Sequence, residues 1–271
     1  MASGTLANKK NSKRRKSFGP GATIEKKRKQ GSEGRSWLTH PAKKNKKQGS
    51  AEGKEKAVVV VDRSEVQWQG KQEQAQWLME RFKSASRHLS SLELDPIPDG
   101  SIVELSQGRD RMIEDLSWHI KNIFGQSWEE ALCKGDLRSS KNLQLEAGSP
   151  ALLVICSSAN RCVNLLRGMR AFSSKCKPVK LFAKHIKIEE QTEALKGHTN
   201  IGAGTPNRIK KLMDMGALGL SRLEVVILDM EKDAKGLTLF TVPEVREEFW
   251  DLYRAHLHPR VLDRKSQICL Y

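Results

Sequence analysis

Continuous apolar segments that alternate with amphipathic segments constrain this sequence more than any other feature. The clearest are residues 151–156 (ALLVIC) and 223–228 (LEVVIL), and each precedes a segment typical of a helix. Strands that are apolar throughout are buried on both faces, as in parallel sheets covered by helices. Right-handed crossovers make such a sheet doubly wound. The sequence therefore predicts an α/β fold built on a single doubly wound parallel sheet.

The same pattern places the individual elements. Apolar runs predict six strands, at residues 102–105, 151–156, 179–183, 199–203, 223–228 and 267–270. Apolar residues at spacings of three and four predict a first helix of about twenty residues, with an apolar face that runs from Ala75 to Leu89. Further helices are predicted at residues 109–123, 127–133, 159–169 and 206–215. A further helix is expected to begin near Thr241, because Thr241 and Glu244 have the spacing of a capping box.

Charge divides the chain unevenly. Residues 1–56 hold 17 basic and 4 acidic side chains, whereas the remainder of the chain is nearly neutral. The first segment has too few large apolar residues for burial to offset the entropy of ordering its backbone. We therefore expect a disordered basic tail at 1–56, a helical lead-in at 57–100 and the α/β domain at 101–271. Residues 57–61 (AVVVV) are either a short strand or a docking segment.

Three basic clusters stand in the tail, separated by Gly, Ser and Gln. Their members are Lys13, Arg14, Arg15 and Lys16; Lys26, Lys27, Arg28 and Lys29; and Lys43, Lys44, Lys46 and Lys47. Such clusters serve as nuclear-import signals or contact nucleic-acid phosphates without reading sequence, and otherwise they are solvated linkers. The spacing of the clusters favours the first two interpretations.

The cysteines and the apolar runs bear on the compartment. The five cysteines are odd in number and none forms a C-x-x-C pair, which favours reduced thiols in a reducing compartment. The sequence shows neither a signal-peptide segment nor an apolar run long enough for a membrane span. We therefore expect an intracellular, soluble protein with no membrane partner.

Residues after three predicted strands are candidates for function, because ligands of doubly wound sheets bind at the carboxyl ends of strands. Ser157, Ser158 and Arg161 follow the strand at 151–156 and open a helix. A helix N-terminus can bind a phosphate, although serine at that position is also an ordinary N-cap. These three residues are candidates for binding a phosphate.

A second candidate group follows the strand at 199–203. It comprises Gly204, Thr205, Pro206, Asn207 and Arg208. Glycine permits close approach of another backbone, threonine can cap the helix, proline suits its first turn, and arginine can bind phosphate. These residues are likewise candidates for binding a phosphate.

A third candidate, Asp229, ends the strand at 223–228. An acidic residue at this position holds the nucleotide-bound Mg²⁺ of phosphate-loop enzymes. Here it is followed by Met230, so we regard Asp229 as the remnant of a magnesium site and predict no bound metal.

In order, the three groups resemble the first half of a DEAD-box RNA helicase. Thr205-Pro206-Asn207-Arg208 matches the Thr-Pro-Gly-Arg block at three of four residues, Ser158 stands for a threonine, and Asp229 matches the first Asp of Asp-Glu-Ala-Asp. The resemblance implies a RecA-like domain whose first two blocks contact the RNA backbone. The residues so implied to bind RNA are Ser157, Ser158, Arg161, Gly204, Thr205, Pro206, Asn207 and Arg208.

Departures from the helicase pattern decide the expected activity. No G-x-x-x-x-G-K-[ST] loop occurs, and the position after the first strand reads Ser106-Gln107-Gly108-Arg109-Asp110. Met230 replaces the catalytic glutamate and cannot accept a proton. The sequence also ends at Tyr271, where helicases continue into a second domain. We expect a P-loop-NTPase-like fold without its phosphate loop, with no cofactor, no small-molecule substrate and no enzymatic activity.

The whole layout resembles the family of small-subunit pre-ribosome (processome) components related to a yeast nucleolar protein. The resemblance covers residues 72–271 and implies a nuclear and nucleolar protein that acts in rRNA processing, with pre-rRNA and pre-ribosomal proteins as partners. Two alternatives remain. One is a protein-binding adaptor whose domain does not touch RNA. The other is an atypical RNA-dependent ATPase with a phosphate loop at Gln107-Gly108-Arg109.

Overall fold

The computed structural model describes residues 69–86, 95–133, 148–172 and 178–271. The predicted tail with its three basic clusters, residues 57–61 and the end of the first predicted helix lie outside the described residues. The division of the chain into tail, lead-in and domain therefore stays a prediction.

A five-stranded parallel sheet forms the centre of the described structure. Its strands are β1 (Leu152–Ile155), β2 (Val179–Leu181), β3 (Ile201–Gly204), β4 (Val225–Leu228) and β5 (Gln267–Leu270). They run in the order β2-β3-β1-β4-β5, and every pairing is parallel. Five of the six predicted strands are confirmed in this sheet.

Eight α-helices connect and flank the strands in the described part of the chain. They are α1 (Lys71–Ala85), α2 (Leu116–Phe124), α3 (Trp128–Cys133), α4 (Ala159–Gly168), α5 (Ile188–Leu195), α6 (Pro206–Asp214), α7 (Pro243–Leu252) and α8 (His258–Leu262). A π-helical turn, Tyr253–Leu257, joins α7 to α8. The helix at 109–123 begins later than predicted, since residues 113–115 form a 3₁₀ turn before it.

Two apolar layers cover the sheet, one on each face. Leu153, Ile155, Val226 and Leu228 pack against α1, α6 and α7, whereas the intervening residues of the same strands pack against α2 and α4. All residues of β1, β3 and β4 are buried, as expected for central parallel strands. The predicted doubly wound parallel α/β sheet is therefore confirmed.

The predicted strand at 102–105 is reduced to a single bridge. Ile102 pairs in parallel with Ile268, and Val103 N donates to Ile268 O at 2.8 Å. Glu104 turns outward instead and accepts a hydrogen bond from Lys71 N at the start of α1. The ladder ends there because the exposed loop 106–110 follows almost at once.

The predicted capping box at Thr241 is wrong. Helix α7 begins at Pro243 with Val242 as its N-cap, and no side chain caps it. Thr241 Oγ1 accepts a hydrogen bond from Thr238 N at 2.7 Å, so it closes the preceding turn. Proline at the first helical position lacks an N–H, which lowers the need for a cap.

Helix α5 is an element that the sequence pattern does not predict. It buries only Gln191 and Leu195 and presents acidic side chains in its first turn. The buried glutamine donates to Lys180 O and Phe182 O, at 2.7 and 3.0 Å. A polar residue therefore does the anchoring, and hydrophobic periodicity cannot reveal it.

Candidate functional site

The carboxyl ends of the strands meet along one edge of the sheet. In the strand register Ile155 lies opposite both Gly204 and Leu228. Backbone hydrogen bonds continue past the strands, from Cys156 N to Gly204 O and from Asp229 N to Ile155 O, both at 3.0 Å. The turns that follow β1, β3 and β4 are therefore neighbours, and the structure brings the three predicted groups of site residues together.

An ion pair between Arg161 and Asp229 dominates this edge. Arg161 Nε donates to Asp229 Oδ1 and Oδ2 at 3.1 and 3.0 Å, and Arg161 Nη2 donates to Oδ1 at 2.8 Å. The Asp229 side chain is 1% exposed and that of Arg161 is 16% exposed. Glu231 Oε2 lies 4.0 Å from the same guanidinium. The strand-end carboxylate thus has a counter-charge from the chain itself.

Burial and pairing act in opposite directions on these two groups. Burial raises the pKa of Asp229, and the hydrogen bonds from Arg161 oppose that rise. Burial lowers the pKa of Arg161, but Asp229 outweighs this effect and the net pKa is raised. Fork geometry at these distances favours the ionised pair. A cation could bind Asp229 only by displacing Arg161.

Met230 occupies the position of the helicase glutamate and is buried. Its side chain is 5% exposed and packs in the core layer that contains α1 and α7. Met230 N donates to Tyr271 O at 2.6 Å, and Tyr271 Oη donates to Met112 O at 2.7 Å. Burial raises the pKa of Tyr271, so its hydroxyl stays protonated as a donor. Apolar packing and structural hydrogen bonds therefore occupy this position.

The turn after β1 caps helix α4. Ser158 is the N-cap, and its side chain accepts a hydrogen bond from Arg161 N at 3.2 Å. Ser158 is exposed and Ser157 is half-buried, so both hydroxyls lie near the surface of the edge. The guanidinium of Arg161, by contrast, is engaged with Asp229 and is not free to bind a phosphate.

The turn after β3 makes fewer local bonds than expected. Thr205 is the N-cap of α6, but its side chain makes no capping hydrogen bond, so the predicted cap is wrong. Pro206 stands in the first helical turn, as predicted. A β-carbon at Gly204 would overlap the backbone carbonyl of Leu181, so the neighbouring strand β2 requires this glycine.

The polar side chains of α6 in the predicted site have internal partners. Arg208 Nη1 donates to Gln191 Oε1 at 2.6 Å and to Ile186 O at 3.2 Å. Asn207 Nδ2 donates to Glu248 Oε1 at 2.6 Å. Arg208 is only partly exposed, whereas Asn207 is exposed. Arg208 therefore links α6 to α5.

Lys184 is a candidate residue that sequence reasoning missed. It follows β2, is exposed, and donates through Nζ to Asn160 Oδ1 at 3.1 Å. This contact places a cation beside the first turn of α4. The available signal was a lysine directly after a predicted strand, but no helicase block covers that position.

The loop at 106–110 has no structure typical of a phosphate cradle. Its residues are exposed, and Arg109 Nη1 pairs with Asp115 Oδ1 at 2.9 Å while its guanidinium lies 5.1 Å from the centre of the Trp118 ring. The cation of this loop therefore turns toward its own helix. Nothing in this geometry favours the ATPase alternative.

Two features are absent from the described residues. Within them, no three or more His, Cys, Asp or Glu side chains are grouped as a metal site would need. No helix among them combines the length and apolar character that crossing a membrane requires.

Sheet order, strand-end residues and the internal ion pair define a class of protein, namely a doubly wound parallel α/β domain whose strand-end carboxylate is neutralised by its own arginine. Within that class the chain belongs to the CMS1 family, described as the U3-containing 90S pre-ribosomal complex subunit, whose model matches residues 5–271. Membership of this family places the chain in ribosome biogenesis.

Individual relatives support the assignment. The chain is 35% identical over 201 residues to human protein CMSS1, and the aligned region covers 73% of this chain and 67% of the human protein. It is 36% identical to CMSS1 of Xenopus laevis, covering 66% and 60%. It is 34% identical to CMS1 of Chaetomium thermophilum, covering 72% and 77%. The match thus spans about two thirds or less of the vertebrate relatives' length.

One similar solved structure is that of the yeast DEAD-box splicing factor Prp28. The TM-score is 0.37 with 12% identity, over 68% of this chain and 52% of that chain.

Proposed function

We propose that the chain is a non-catalytic, RNA-associated component of a pre-ribosomal particle that acts in maturation of the small ribosomal subunit. Membership of a family of 90S pre-ribosomal subunits supports this role. The partners are pre-rRNA and pre-ribosomal proteins, and the site of action is the nucleolus within the nucleus.

The internal neutralisation of Asp229 is the observation that carries the non-catalytic part of the proposal. Phosphoryl transfer depends on a cation held at the end of this strand and on a loop that binds the phosphates. Here Arg161 supplies the positive charge by three hydrogen bonds, and the buried Met230 follows. The electrostatic parts that catalysis needs have become parts of the core.

The neighbouring turns of β1 and β3 support the RNA contact. Ser157, Ser158 and Thr205 bring hydroxyls to one edge, and Lys184 brings an exposed cation to the same edge. Hydroxyls, lysine and helix N-termini bind nucleic-acid backbones without reading bases. The basic tail adds electrostatic affinity of the same kind. The edge therefore suits a single-stranded or looped RNA backbone.

A direct test is RNA binding by full-length variants of the edge. Lys184→Glu and Ser158→Glu should each weaken binding of a labelled twenty-nucleotide oligouridine at least threefold, because each puts a negative charge where the phosphates would lie. Fluorescence anisotropy at fixed salt measures the change.

Lys196→Glu is the matched control for this test. Lys196 is 67% exposed and follows α5 before β3, at the opposite edge of the sheet. Lys196→Glu changes the net charge by the same amount as Lys184→Glu, and it leaves the proposed edge untouched. Equal weakening by Lys184→Glu and Lys196→Glu would show that the edge is not an RNA site.

A protein-binding adaptor is the second candidate function. It is favoured by the internal engagement of Arg161, Asn207 and Arg208, which were predicted to bind RNA. The adaptor hypothesis predicts unchanged oligouridine affinity for both edge variants, with all RNA binding supplied by the tail.

A further inference from the structure

A groove between α1 and α7 lies apart from the proposed RNA edge. Its volume is about 360 Å³, and the last turn of α1 faces one side of α7 across it. Cavities of this size are within the range that protein sites use to bind ligands. Helix α7 packs between this groove and α6, which carries the Thr205–Arg208 turn at its start.

Three arginines line the groove. Arg81 comes from α1, while Arg246 and Arg254 come from α7 and the π-helical turn after it. Trp250 stands between the last two at intervals of four residues, so the three lie on one face of the helix. Eight residues of helix separate the two arginines by about 12 Å along the axis. Trp250 itself is only 3% exposed, so the groove has cations at both ends and a buried indole beneath its centre.

The acidic neighbours of Arg246 and Arg254 are loosely held. Arg246 Nη2 lies 3.9 Å from Glu247 Oε1, and Arg254 Nη1 lies 3.4 Å from Asp251 Oδ1. Both separations exceed an ordinary charge-assisted hydrogen bond. Arg254 Nε is buried and has no hydrogen-bond partner among the residues that the structure describes. An incoming carboxylate can therefore make closer hydrogen bonds to the Nη groups of Arg246 and Arg254 than Glu247 and Asp251 make.

The π-helical turn is a second observation at the same place. It spans Tyr253–Leu257 and carries Arg254 into the groove. Such turns are rare inside helices and are frequent at functional sites. Arginine and tryptophan are also the side chains most enriched among residues that dominate binding energy.

We propose that this groove is a docking site for an acidic segment of a partner protein. An extended segment rises about 3.3 Å per residue, so two carboxylates four residues apart span about 13 Å. That span matches the axial separation of Arg246 and Arg254, and the side chain midway between the carboxylates lies in the groove above the buried Trp250. An RNA backbone carries a negative charge at every nucleotide, whereas this peptide segment carries two. Glu247 and Asp251 therefore repel RNA more than they repel the peptide.

Photo-crosslinking with the full-length chain tests the proposal. The probe is the peptide Ser-Gly-Glu-Ala-Bpa-Ala-Glu-Gly-Ser, in which Bpa is benzoylphenylalanine, and mass spectrometry maps the adducts. We expect adducts in the last turn of α1 and in residues 246–254. Arg246→Glu should lower their yield at least fivefold and Arg254→Gln at least threefold, whereas the same peptide with Gln in place of Glu should give little product.

Arg167→Glu is the matched control, since Arg167 is exposed on α4, against the opposite face of the sheet. It should leave the adduct yield within twofold of the parent, and thermal melting should show all variants folded. Adducts confined to residues 1–56, equal loss in Arg167→Glu, or equal labelling by the Gln peptide would overturn the proposal. Stronger labelling of the groove by 4-thiouridine-containing oligouridine would overturn it too, in favour of a nucleic-acid site. Neither result depends on Lys184 or Ser158, so the RNA edge is judged separately.

Discussion

Arg161 shows how one side chain can convert a ligand site into part of the core. Asp229 would be costly to bury alone, and Arg161 supplies its counter-charge. Sequence reasoning found both residues and located them correctly at the strand ends. Arg161 is predicted to bind RNA, since the sequence does not reveal its pairing with Asp229. The two residues are 68 positions apart, and neither helical spacing nor strand alternation reports such a contact.

Replacing Arg161 should therefore destabilise the fold rather than only weaken a ligand contact. Arg161→Met leaves Asp229 buried without its partner, and losing one member of a buried pair costs about 3–5 kcal/mol. Urea denaturation measures the free energy of unfolding. The double variant Arg161→Met/Asp229→Leu should recover most of the loss, because it removes both charges. A loss below about 1 kcal/mol in the single variant would contradict this account.

His258 gives the fold a pH dependence of defined sign. Its side chain is buried, Nδ1 lies 3.2 Å from Tyr253 Oη, and burial lowers its pKa below the ordinary 6.5. The unfolded chain therefore binds the proton first as pH falls. The stability that the neutral His258 contributes is present above pH 6.5. It is lost as pH falls toward and through the lower pKa of the folded state. Unfolding free energies at pH 7.5 and 5.5 measure the loss.

His258→Asn should reduce that loss, since asparagine keeps a polar partner for Tyr253 and does not titrate. His185→Asn is the control, because His185 is exposed and asparagine tolerates its positive φ of 60°. The same pH slope in His258→Asn and the parent would show that another group is responsible.

Among the elements, strand β3 can pack this closely against β2 because its last residue is Gly204. Gly204 lies against Leu181 of β2, and any β-carbon there would meet the Leu181 carbonyl. Gly204→Ala should destabilise the fold by about 1–3 kcal/mol through overpacking. Gly197→Ala is the control, since its β-carbon would only make an ordinary contact 3.6 Å from Ala194 O. Equal unfolding free energies for the two variants, measured in urea, would argue against this close packing.

Strands were more predictable than the ends of helices. Residues 152–155 and 225–228 are buried in full, and continuous apolar runs report that environment directly. The start of α7 was misplaced, because Thr241 bonds backward to Thr238 although its spacing from Glu244 suits a forward cap. Helix α5 was missed because it anchors through Gln191. Local pattern reports burial well, but it does not report which of two possible partners a polar side chain takes.

For the molecule as a whole, the uneven charge predicts two modes of RNA affinity. Changing all twelve lysines and arginines of the three basic clusters to glutamine should flatten the salt dependence of oligouridine binding. Each lost phosphate contact reduces the slope of log affinity against log salt concentration by about 0.9 on duplex nucleic acid and by about 0.7 on single strands. Binding measured between 50 and 300 mM KCl gives the slope. An unchanged slope would mean that the tail makes no phosphate contacts.

The pairing of β5 with residues 100–103 has a consequence for the order of assembly. Ile268 bridges to Ile102, and Gln267 Nε2 bonds Gly100 O across 167 positions of sequence. During synthesis β1, β3 and β4 emerge well before β5, so one border of β4 waits unpaired with its apolar faces open to solvent. Closing so large a loop is slow, and partly built sheets of this kind aggregate. The nascent chain is therefore expected to need shielding by chaperones until its last strand arrives.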